Sequence, residues 1–144
     1  MAYHKRNTAL DELKSILSTV SGVNTVVRTF DGVDITTRTQ SELPLIDIQE
    51  PSSSIVKERE KSPLRLTTLE LTVRVYFLAW ADSVTSSYET LLSAIRTKIA
   101  SNHTLNNKCS YCEVVTISEV KGEMPLYHFD MILNIDIYEK ETDL

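Results

Sequence analysis

Glycine is scarce, with 3 in 144 residues, and no segment recurs with a period of roughly 20–50 residues, which speaks against a solenoid or a propeller. A Gly-rich phosphate loop, a G-x-S-x-G elbow and an H-E-x-x-H helix are all missing. No apolar run approaches the length of about 18 residues that crosses a bilayer. The opening Met-Ala-Tyr-His-Lys-Arg-Asn has no apolar signal segment, so the chain is expected to be made in the cytoplasm, with no membrane partner. Basic excess is lacking too: the formal charge is -5, whereas a surface that grips nucleic acid phosphates is usually basic. The same sign suits a pore through which nucleic acid slides without sticking.

Cysteine and histidine are few, with 2 and 3 respectively. Cys109-Ser-Tyr-Cys112 has the spacing of half a zinc site, which His103 and His128 would have to complete. It also has the spacing of a redox pair, but the βαβ context of that chemistry is missing. The plainer reading, two reduced thiols at the start of a strand, is preferred. His4 lies near the N-terminus, and His103 follows a helix end whose carbonyls it can meet. His128 and Asp130 share a strand face, yet no nucleophile or second acid is spaced to join them. The acid pairs Asp130 with Asp136 and Glu70 with Asp47 read as solvated faces rather than a metal site. No catalytic, cofactor or metal residue is assigned, and the chain is expected not to be an enzyme.

What is present is alternation. From Leu66 to Trp80, Leu69, Leu71, Val73, Val75, Phe77 and Ala79 fall on one face, while Thr68, Glu70, Thr72 and Arg74 fall on the other. Fifteen residues at about 3.3 Å each span roughly 50 Å, two to three times an ordinary strand. A second long strand runs from Tyr127 to Tyr138, with Phe129, Met131, Leu133, Ile135 and Ile137 on its apolar face. Helical stripes occupy Ala9–Ser21, capped by Thr8 and stopped at Gly22, and a region from the Ser86-x-x-Glu89 capping box to about Asn102. Val23–Phe30 and Val33–Thr36 flank an Asp31-Gly32 turn signal and predict a hairpin. Leu43–Ile48 predicts a strand with its proline near the start, and Tyr111–Val120 predicts another. The segment 51–63, bounded by prolines and carrying five consecutive charged residues, predicts a mobile loop, and residues 140–144 a frayed tail. The sum is one α+β domain over residues 1–144, a mostly antiparallel sheet with two helices packed on one face.

Four places in order resemble the lambda-like tail terminator proteins of long-tailed bacteriophages, with their related tail completion and minor tail proteins. They are an opening helix leading into Phe30-Asp31-Gly32, then Glu42-Leu43-Pro44-Leu45-Ile46-Asp47-Ile48, then Leu69 to Phe77. The last is Leu126-Tyr127-His128-Phe129-Asp130-Met131 running to Ile137-Tyr138-Glu139. Each is a strand or turn pattern, and their order and spacing carry the match. Cys109 and Cys112 stand outside it. The resemblance implies a structural virion protein: a hexameric ring that caps the head-proximal end of the tail tube, stops tube polymerisation and offers the surface on which the head docks. The implied partners are further copies of the chain, the tail tube protein and a head completion or connector protein. DNA passes through the lumen, and no cofactor is called for. A head–tail connector or another minor tail protein of the same fold is the alternative, and a small cytoplasmic enzyme or binding module is a more distant one. The residues expected at interfaces are Lys57, Glu58, Arg59, Glu60 and Lys61 in the charged segment, and Glu70 and Arg74 on the polar face of the long strand.

Overall fold

The structure is a computed structural model that describes residues 4–59 and 64–140. Helix α1 is His4–Leu17, strands β1, β2 and β3 are Thr25–Thr29, Leu45–Arg59 and Leu64–Leu78, and helix α2 is Val84–Ser101. Strands β4, β5 and β6 are Tyr111–Ile117, Lys121–Glu123 and Leu126–Lys140. They form a six-stranded sheet in the order β1-β2-β3-β6-β4, with β5 also paired to β6. Only β1 with β2 is parallel; every other pairing is antiparallel. The protein therefore has the expected α+β class.

Alternation builds the core. Leu69, Leu71, Val73, Val75 and Phe77 of β3 lie beside Ile135, Leu133, Met131, Phe129 and Tyr127 of β6 in register. In an antiparallel pair, facing residues share one side of the sheet. Both helices cover that side. Leu10, Leu13 and Leu17 of α1 and Leu91, Ile95 and Ile99 of α2 are buried in the same cluster, and Tyr88 meets Phe129 edge-on with ring centroids 4.9 Å apart. Cys112 faces this core from β4.

Helix α1 begins a turn before the expected Ala9, so Thr8 lies inside it rather than capping it. Tertiary contacts hold the extra turn. Arg6 donates through Nε and Nη2 to the two carboxylate oxygens of Glu139, each at 2.9 Å, and Lys5 Nζ donates to the Tyr138 carbonyl. The helix ends at Leu17, and turns continue the chain to Gly22, where φ is +89°.

Helix α2 likewise does not start at the Ser86 capping box. A 3-10 turn over Ala81–Ser83 feeds it, and Ser83 Oγ accepts from the Trp80 N–H at 3.1 Å. The end of the chain's long apolar run is therefore used to enter the helix, and β3 stops at Leu78.

The expected hairpin after α1 is overturned. Strand β1 pairs with β2, not with Val33–Thr36, and Ile35–Thr37 is a 3-10 turn. Asp47, fully buried, is the reason. Its Oδ1 accepts from the Thr29 hydroxyl at 2.7 Å and its Oδ2 from the Val33 N–H at 2.9 Å, folding the loop back over β2. Asp34 then accepts from the Thr36 N–H and opens the 3-10 turn. The loop covers the second side of the sheet at this end, where Leu45 and Tyr76 are also buried.

The largest correction concerns residues 51–59, expected as loop. They continue β2, paired with β3 from Ser53↔Glu70 to Arg59↔Arg65. Register shifts interrupt the ladder between Gln49 and Ser53 and again between Val56 and Glu58. Pro51 falls within the first shift, where a residue without a backbone N–H costs the ladder least. Polar composition and proline resembled a loop, but cross-strand pairing prevails. The expected loop's remaining residues, 60–63, lie outside the described residues; of the frayed tail expected at 140–144, Lys140 ends β6 and the rest lies outside them too.

Strand β4 ends at Ile117 rather than Val120, and β5 then closes a hairpin with β6.

Candidate assembly surfaces

Three adjacent strands are 15 residues long, and the strands that flank them are shorter. Strand β1 covers β2 only from Leu45 to Gln49. Beyond Gln49 the outer side of β2 has no strand beside it among the described residues. On the opposite side of the sheet, β4 is the outermost strand, pairing with β6 from Asp136 to Met131; beyond it the Tyr138 carbonyl of β6 accepts from Lys5 Nζ, and on β4 the Cys112 N–H donates to the His103 carbonyl. Backbone N–H and C=O groups on such outer sides are a template for pairing with another chain. The outer sides of β2 and β4 lie on opposite sides of one sheet, the arrangement that a head-to-tail contact requires.

The sheet face away from the helices is the second surface. Glu70, Asn134 and Glu113 stand side by side across β3, β6 and β4, as do Thr68, Asp136 and Tyr111. Glu70 and Glu113 are exposed, and Tyr111 and Tyr138 are about half exposed, at 45% and 50%. Thr68 donates to Asp136 Oδ1. The side-chain oxygen of Asn134 is buried without a hydrogen-bond partner among the described residues. The face is predominantly acidic.

Arg74 is a cation on this face, as is Lys121 opposite His128, and Arg74 is already committed. Its Nε donates to Asp130 Oδ1 at 2.7 Å and its Nη2 to Asp130 Oδ2 at 3.0 Å. The hydrogen bond to Asp130 holds the guanidinium above its ordinary pKa against desolvation, and Tyr76 adds to the effect. Of the residues expected at interfaces, Glu70 is on the open face and, among the described residues, forms no ion pair. Lys57, Glu58 and Arg59 belong to β2, near the far end of its open edge. Glu60 and Lys61 lie outside the described residues. Glu70 and Arg74 thus share a face, while the charged segment sits at the end of the sheet.

The catalytic candidates separate. His128 packs on Tyr76 with ring centroids 5.6 Å apart. Its pKa is lowered, first by desolvation and then by Arg74; Asp130 opposes them, and Lys121 adds a smaller lowering. Asp130 is engaged by Arg74, so the His128–Asp130 pair works in the sheet's own packing. Burial pushes the Cys109 thiol up to about 11 and the Cys112 thiol up to about 12, the opposite of what an activated nucleophile needs. The Asp47 carboxylate is occupied by Thr29 and Val33 and stands opposite Arg74 rather than Glu70. Among the described residues no three His, Cys, Asp or Glu side chains gather as a metal site, and no helix is long and apolar enough to cross a membrane.

Sequence reasoning missed the edge formed by β4 and the role of Asp47. The order of strands in a sheet leaves no local mark, so the edge had no signal. Asp47 had one: a carboxylate in an otherwise apolar Leu-Ile-Asp-Ile run needs internal partners if it is buried.

No protein-family model matches the chain, and no curated protein matches it. Among solved structures, it is similar to a chain described as "Virion of native gene transfer agent (GTA) particle", at 9% identity and a TM-score of 0.44, over 91% of this chain and 92% of that one.

Proposed function

We propose that the protein is a structural component of a phage-type virion, a tail terminator that assembles as a hexameric ring on the head-proximal end of a tail tube. The observation that carries this reading is the sheet with two outer edges on opposite sides, built on strands that outrun their flanking partners. Repeated head-to-tail contact between such edges closes a ring when the rotation allows it. The residue patterns that resemble the tail terminator family supply the biological setting. In that setting the ring blocks further addition of tube protein, offers a docking surface to a head completion or connector protein, and lets DNA through. The acidic open face suits a lumen wall, because like charge keeps DNA from adhering. Lys57, Glu58 and Arg59, in the last residues of β2, contact the neighbouring copy or the last tube ring, together with Glu60 and Lys61.

The reading assigns no catalytic step. Its first test is mass photometry of the protein mixed with short tubes of its tail tube protein, alongside Glu70→Lys. The native chain should give rings bound to tube ends, and the reversal should reduce ring occupancy several-fold while the circular dichroism of the free chain stays unchanged. Unaltered occupancy would remove Glu70 from the interface, and no tube-bound species for the native chain would remove the ring itself.

A further inference from the structure

We draw no further inference here: the strongest candidate, the exposed apolar tip that Trp80 and Met124 form where the end of β3 meets the β5–β6 turn, carries nothing, because nothing in the structure shows what covers it.

Discussion

Glu139 is a carboxylate with no solvent exposure at the far end of β6, and Arg6 meets it with a two-pronged hydrogen bond. A buried carboxylate is tolerated only when paired, and removing its partner is costly. Arg6→Ala should therefore destabilise the protein by about 3 kcal/mol in urea denaturation, and the first turn of α1 should lose amide-exchange protection. A loss below about 0.5 kcal/mol, the scale of an exposed pair, would show that Arg6 does not hold this end. His128 offers a pH test. Its native pKa lies below the ordinary 6.5, for desolvation and Arg74 both oppose the charged ring. As pH falls through 6.5 the unfolded chain takes up the proton first, so this group makes folding less favourable from that point downward. The melting temperature of His128→Gln should fall less than that of the native protein between about pH 7 and pH 5. Parallel curves would refute the assignment.

The long strands show what a sequence reveals about elements and what it hides. Alternation over Leu69–Phe77 and Phe129–Ile137 was legible because one side of each strand is buried by helices and the other is not. The helices were legible from their apolar stripes, although both starts moved, α1 because Lys5 and Arg6 bind the end of β6 and α2 because the local Trp80–Ser83 turn opens it earlier. Residues 51–59 were misread because β2 there is an outer strand with two register shifts, and such a strand has little reason to alternate. The Asp31-Gly32 hairpin was misread because the parallel β1–β2 pairing and the Asp47 hydrogen bonds are non-local. Of the candidate surfaces, the polar residues of the β3 face were visible in advance, whereas the two edges needed the strand order. Central placement makes its own prediction. Leu133 is fully buried on β6 between β3 and β4, so Leu133→Ala should cost about 3 kcal/mol through lost burial and the cavity left behind. A chemical-denaturation change below about 1 kcal/mol would mean that the helices collapse onto the sheet more freely than this packing implies.

At the scale of the whole molecule, the helices cover one sheet face, while the loop after β1 covers the other only at one end. A net charge of -5 is compatible with protein neighbours and with a DNA passage that binds nothing, and it opposes tight adhesion to phosphate. The two cysteines need no separate role: one is buried in the core, the other is partly buried beside it, and both thiols are held protonated by burial. Everything specific to a tail terminator rests on the chain stopping tube growth. Electron microscopy of tails assembled from tube protein and tape-measure protein, with and without this chain, measures that directly. The account predicts tails of uniform length with a ring at one end when the chain is present, and overlong, uncapped tubes when it is absent. Equal length distributions in the two preparations, with the protein left unbound, would contradict it.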